Sequence, residues 1–126
     1  MKEKELRVLV KKMYPNFLLH KEDGIRATSL FLMEKQGNGM IRVCWYHSEM
    51  CAVISDLSVS ESFRKNGLGA QLMGMAEALA RAEKKDFVQL RVLKDSWTEE
   101  WYKRRGYRFF EADDDKRFVM LIKDLR

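Results

Sequence analysis

The apolar positions of this chain change their spacing several times, and each change marks an element. Leu6, Leu9, Val10 and Met13 recur at i, i+3, i+4 and i+7, which predicts a helix from Lys2 to about Tyr14 with one apolar face. Glu3 and Arg7 can pair across one of its turns, and Pro15 ends it. Asn16 to Asp23 reads as either a short strand or a loop. From Ala27 to Val59 the pattern becomes that of three strands, about Thr28–Lys35, Met40–His47 and Cys51–Val59. Gly37-Asn38-Gly39 is a turn signal, and Ile41, Val43, Trp45 and Tyr46 favour extended backbone. Short connections make these strands antiparallel neighbours, which argues against a doubly wound nucleotide fold.

The period then lengthens. Leu68, Leu72, Met75, Ala76 and Leu79 form a helical stripe suited to packing on a sheet, and Lys84-Lys85 close the helix favourably for its dipole. Phe87–Leu93 is apolar on both faces, as a central strand should be, and the intervening helix makes it parallel to the third strand. Ser96 or Asp95 can cap a short helix, Trp97 to Arg105, braced by Glu99 with Lys103 and Glu100 with Arg104 and ended by Gly106. Two strands follow, Tyr107 to about Glu111 and Arg117–Lys123, joined by a turn containing Glu111, Asp113, Asp114 and Asp115.

Composition narrows the class. A chain of 126 residues, 46% hydrophobic and 34% charged, is expected to be one soluble globular domain, residues 1–126. No apolar run is long enough to span a bilayer and Met1-Lys2-Glu3-Lys4-Glu5 is not a signal peptide, so no membrane role and a cytoplasmic setting are expected. Cys44 and Cys51 are too few for a disulfide framework and lack metal-ligand spacing; they are expected as reduced core residues facing each other across a hairpin, with no metal site. The net charge of +5 suits an anionic ligand. Nucleic acid is a weaker fit, because basic and acidic residues are interspersed; Trp97, Trp101 and Tyr102 with Arg104 and Arg105 form the only candidate patch for it.

One stretch carries chemistry. Arg64-Lys65-Asn66-Gly67-Leu68-Gly69-Ala70 joins a strand to the start of a helix. Glycines there let backbone approach a ligand, and the first N–H groups of a helix lack intrahelical acceptors at the positive end of the dipole, so the turn suits phosphate. A Walker-A loop would need Lys-Ser/Thr after Gly69, where Ala70-Gln71 stand, and a dinucleotide fingerprint would need glycine at Leu72. Arg64, Gly67 and Gly69 do complete the pattern Arg/Gln-x-x-Gly-x-Gly/Ala. That loop, with Leu57-Ser58-Val59 before it and Tyr102-x-x-x-Gly106-Tyr107 after it, resembles the GCN5-related N-acetyltransferases, the GNAT family, over roughly Ser29 to Leu125.

The resemblance implies an α+β fold: a mixed sheet of antiparallel strands with a central parallel pair, helices on both faces, and the family's first strand missing. It implies acetyl-CoA as co-substrate and transfer to a primary amine by direct attack. The backbone of Leu57, Ser58 and Val59 would hold the pantetheine arm, with the Leu57 N–H on the carbonyl oxygen. The N–H groups from Lys65 through Asn66, Gly67, Leu68 and Gly69 to Ala70, with Arg64, would hold the pyrophosphate. Tyr102 would be the general acid, and Asp95 stands where the family often has a CoA-contacting asparagine. Some relatives carry a basic glutamate at the position of Val53, so Asp56, His47 and Glu49 are the substitutes, Asp56 foremost because it precedes Leu57. The missing first strand and the missing glutamate keep a non-catalytic acyl-CoA-binding or regulatory domain as the alternative. The acidic turn would border the acceptor entrance and could attract a cationic amine, and a homodimer is left open.

Overall fold

A computed structural model describes all 126 residues. The chain runs α1 (Glu3–Met13), β1 (Phe17–Asp23), β2 (Ala27–Glu34), β3 (Gly39–Tyr46), β4 (Cys51–Val59), α2 (Leu68–Ala82), β5 (Phe87–Leu93), α3 (Trp97–Arg104), β6 (Arg108–Ala112) and β7 (Phe118–Asp124). A 3-10 turn at Glu61–Phe63 precedes α2. No strand precedes α1, and the segment left open between strand and loop is β1, paired antiparallel to β2 from Phe17↔Glu34 to Asp23↔Thr28. The strands form one seven-stranded sheet in the order β1-β2-β3-β4-β5-β7-β6, in which only β4 and β5 are parallel.

Alternation along the strands decides which face is buried. Leu30 and Leu32 of β2, Ile41 and Val43 of β3, Ala52 and Ile54 of β4, Val88 and Leu90 of β5 and Val119 and Leu121 of β7 all join one core. Leu72, Met75, Ala76 and Leu79 of α2 and Leu6 and Val10 of α1 close over it, as their helical spacing predicts. Met13, the last residue of the α1 stripe, is instead exposed. Glu3 pairs with Arg7 at 3.2 Å.

The expectation of helices on both faces is corrected. α3 lies against the first turn of α2, where Arg105 Nη2 donates to Ala70 O at 3.4 Å. All three helices therefore share one face, while Phe31, Arg42, Cys44, Val53, Ser55 and Gln89 on the other are half-buried or exposed. The crossovers β4–α2–β5 and β5–α3–β6 step the same way along the sheet, and right-handed crossovers in one direction put their helices on one side. The cysteines are also not cross-strand partners: Cys44 stands opposite Val53, and both thiols are free and half-buried.

α2 approaches β3 closely only because residue 39 is glycine. A Cβ there would come within 2.9 Å of both Leu68 Cδ2 and Leu72 Cδ1, inside the packed core. Gly39→Ala is expected to cost about 1–3 kcal/mol from overpacking, read as a lower denaturant midpoint. An unchanged midpoint would mean that α2 rides outward freely.

Candidate active site

A break in one ladder creates the site. β4 pairs with β5 only at Cys51↔Phe87, Ala52↔Val88 and Val53↔Gln89; beyond Val53 the strands part. The cause lies on the other side of β4. Between the pairs Met40↔Ser58 and Arg42↔Ser55, two residues of β4, Asp56 and Leu57, oppose the single Ile41. Asp56 adopts a left-handed backbone, φ 57°. Such a bulge bends and twists its strand, here away from β5. Ser60 N–H donates to Asn38 O at 2.8 Å. Alternation then turns the Val59 and Leu57 N–H groups away from β3, toward the parting.

The helix start faces the same opening. Gly67 is the N-cap of α2 with φ 77°, and no side chain caps it. The first helical bond runs from Gln71 N–H to Gly67 O at 3.0 Å, and the N–H groups of Gly67, Leu68, Gly69 and Ala70 find no acceptor in the protein. A Cβ added to Gly67 meets nothing within 4 Å, so the space over the turn is open. Arg64 Nε donates to Val59 O at 3.3 Å and draws the turn against β4.

The third wall is α3. Ser96 Oγ accepts from Glu99 N–H at 3.1 Å, and Glu99 Oε1 accepts from Asp95 N–H at 2.7 Å, a reciprocal cap that resolves the choice in favour of Ser96. Glu99 also pairs with Lys103 at 2.8 Å. At the other end Tyr107 N–H donates to Tyr102 O at 3.1 Å and Gly106 N–H to Lys103 O at 3.0 Å. This is a Schellman ending, with Gly106 left-handed at φ 98°. Its usual apolar contact is present as an edge-to-face pair of Tyr102 and Tyr107, centroids 5.7 Å apart. The Tyr-x-x-x-Gly-Tyr spacing is thus the spacing of that helix ending. Behind it, Tyr107 OH donates to buried Glu77 at 2.8 Å, and Lys123 Nζ pairs with the same carboxylate at 3.1 Å.

These walls enclose a cavity of about 520 Å³. Leu57, Ser58, Val59, Arg64, Gly67, Gly69, Ala70 and Tyr102 line it. Leu68 buries its side chain in the core and offers only its N–H. Lys65, Asn66, Asp56 and Asp95 lie outside the lining, Asp95 on an exposed left-handed turn at φ 60°. His47 and Glu49 sit at the β3–β4 hairpin, the opposite end of β4 from the parting. Trp97, Thr98 and Trp101 line the cavity although the loop and strand motifs do not include them. Their spacing with Tyr102 at i, i+1, i+4 and i+5 marks one helix face and was the available signal. The aromatics that made up the candidate nucleic-acid patch thus turn toward this cavity.

Tyr102 is buried, with no hydrogen bond from its hydroxyl to the protein. Burial pushes its pKa up to about 12 against a smaller downward pull from Arg105. Burial, then the Glu77 carboxylate, drives Tyr107 higher still. No cluster of three or more His, Cys, Asp or Glu side chains could hold a metal ion, and no helix is long and apolar enough to cross a membrane.

A mixed sheet parted beside a glycine turn and an uncapped helix defines an acyltransferase class of fold. The acetyltransferase (GNAT) domain family matches residues 26–109, more than half of the chain, and the chain belongs to that family. No curated protein matches the sequence. Among solved structures it is similar to a GNAT family acetyltransferase of Elizabethkingia anophelis with acetyl-CoA bound, at 12% identity and TM-score 0.64, covering 86% of this chain and 98% of that one. It is similar to the PaiA N-acetyltransferase of Thermoplasma acidophilum in complex with coenzyme A, at 16% identity and TM-score 0.65, covering 97% and 70%. An acetyltransferase of Bacillus cereus aligns at 23% identity and TM-score 0.60, over 96% and 89%. At these identities the likeness is one of fold.

The Glu77 bonds tie α2 to both arms of the last hairpin at its open end. Tyr107→Phe removes a donor from a buried carboxylate and is expected to cost about 1–3 kcal/mol. Chemical denaturation measures it, and a midpoint equal to the parent's would show the bond to be energetically neutral.

Proposed function

We propose that the protein transfers an acetyl group from acetyl-CoA to a primary amine. The carrying observation is that one cavity joins an uncapped helix N-terminus to an unpaired strand edge. The first suits a pyrophosphate; the second suits an extended arm that carries amides, added beside β4 as a further strand. The unpartnered N–H groups from Gly67 to Ala70 and the open space over Gly67 fit the former, with Arg64 at the rim. The edge from Leu57 to Val59 fits the latter.

The bound thioester supplies the acetyl group; the chain orients it and manages protons. The Leu57 N–H, turned into the parting by the bulge, is the donor suited to the carbonyl oxygen. Tyr102 supplies the proton to the departing thiolate. Its raised pKa keeps the phenol protonated, and the burial that causes the shift also raises the basicity of a thiolate released beside it. Asp56, exposed and adjacent to Leu57, takes the proton from the amine through solvent. Attack is direct. Neither cysteine lines the cavity, and burial, then Glu49, pushes the Cys51 thiol up and keeps it a poor nucleophile. Tyr102 on the cavity wall favours catalysis over a purely acyl-CoA-binding role despite valine at residue 53.

Gly67→Val adds a β-branched side chain at positive φ, in the space over the phosphate turn. CoA affinity by calorimetry is expected to fall more than about tenfold with the fold retained. Equal affinity would remove the turn from the site. Tyr102→Phe is expected to lower kcat on the order of a hundredfold while the acetyl-CoA dissociation constant stays unchanged. The sign of the shift also fixes a pH dependence: a phenol raised to about 12 remains a donor throughout the ordinary phenol range near pH 10, so Tyr102 contributes no loss of kcat there. Full activity of the phenylalanine variant would assign the proton to solvent.

A further inference from the structure

The bare face of the sheet carries polar groups that the fold leaves unanswered. Arg42 of β3 and Ser55 of β4 are cross-strand partners. Arg42 Nε and Ser55 Oγ are both buried and neither has a hydrogen-bond partner. Buried polar atoms in native proteins are nearly always paired, and an unpaired couple side by side needs an explanation. The remaining side-chain bond of Arg42 is weak: its Nη2 donates to Ser29 Oγ at 3.3 Å. The guanidinium lies 5.6 Å from the Phe31 ring centroid and makes no ion pair. A half-buried guanidinium without a carboxylate is costly to keep.

Position gives the pair its meaning. Ser55 follows Val53 on the same face, and Val53 is the last residue of β4 paired to β5. The pair therefore stands where the sheet parts, on the side opposite the helices and the cavity. A donor seated on the helix side would present its acyl end through the parting to this face, which no helix covers. The acidic turn, by contrast, is largely spent. Asp113 pairs with Arg91 at 3.0 Å and Asp115 with Arg117 at 2.7 Å.

We infer that Arg42 and Ser55 form an acceptor subsite that reads a carboxylate on the amine substrate, making that substrate an amino acid or a related amine rather than a polyamine. The inference rests on the acetyltransferase proposal above. A guanidinium fork and a hydroxyl donor match the oxygens of an anion. One guanidinium neutralises one carboxylate, whereas a dianionic phosphate in the same half-buried place would keep an unmatched charge. Arg42 and Ser55 orient the amine and take no part in proton transfer.

The test pairs glycine, β-alanine, leucine and glutamate with their carboxamides, and adds putrescine and phosphoethanolamine. CoA release gives kcat/KM, and calorimetry with CoA present gives acceptor affinity. At least one amino acid is expected to exceed its own carboxamide and putrescine by on the order of tenfold or more in both measurements. Arg42→Met should erase that preference through KM and affinity, leave acetyl-CoA binding unchanged and hardly alter the carboxamide; Arg42→Lys should restore part of it. Ser55→Ala should weaken it less. Equal use of acids and carboxamides overturns the inference while leaving the acetyltransferase reading intact, as does preference for phosphoethanolamine over every acid. So does an Arg42→Met variant that loses stability without any change in acceptor preference. A carboxylate-dependent affinity that vanishes in Arg42→Met, with no CoA released from any amine, sinks the transfer proposal and leaves the subsite standing.

Discussion

The bulge at Asp56 and Leu57 is the constraint on which the rest of the molecule depends. An undisturbed parallel pair would bond β4 to β5 along their whole length and leave no room between them. One extra residue on β4 ends that ladder after Val53. The strand edge beyond it must find partners outside the sheet, because backbone N–H and C=O groups are expensive to leave unsatisfied away from water. The left-handed backbone of Asp56 is a local strain that aspartate bears better than most residues. The same two residues thus open the passage through the sheet and aim the Leu57 N–H into it.

The start of α2 is under a related tension. A serine or aspartate N-cap would satisfy the first amides and stabilise the helix by about 1 kcal/mol over an uncapped start, whereas glycine forgoes the bond at a smaller loss. Gly67 leaves those amides without a partner in the protein and removes the side chain that would shield them. Helix stability is recovered elsewhere, through Leu68 and Leu72 packed onto Gly39 and through Arg105 reaching back to Ala70. Fold and site are coupled there: the helix must lie close to β3 for its first turn to face the parting.

Local features were legible in the sequence and relational ones were not. Cys51–Val59 and Phe87–Leu93 appear with the bounds that their residues predict, because apolar runs between turn signals are local. Tyr102-x-x-x-Gly106-Tyr107 was readable because a Schellman ending spans only six positions, Tyr102 to Tyr107. Trp97 and Trp101 belong to the same helix, yet no motif named them; helix-face spacing alone carried their signal. Helices on a single face follow from the sheet order, which no window of sequence contains. The Glu77–Tyr107–Lys123 network joins residues up to 46 positions apart, so nothing near Glu77 announces its burial. Arg42 and Ser55 become partners only through the β3–β4 hairpin register, which runs unbroken from Cys44↔Val53 to Arg42↔Ser55 and shifts at the bulge beyond them.

Charge patterning shows why a count of acidic residues misleads about substrate. Glu111, Asp113, Asp114 and Asp115 look like an anionic patch when read along the chain. In space Asp113 answers an arginine 22 positions away and Asp115 answers Arg117. Such exposed pairs add little stability, but each cancels most of the field its carboxylate would project. Arg64 and Arg42 make no ion pair in the fold. A net charge of +5 therefore favours anions at both sides of the parted sheet, and screening limits that attraction to about 8 Å at physiological salt. On the proposed transfer to an amine, discrimination between acceptors must then come from short-range contacts beside the parting, where two unpaired polar atoms already stand on cross-strand partners.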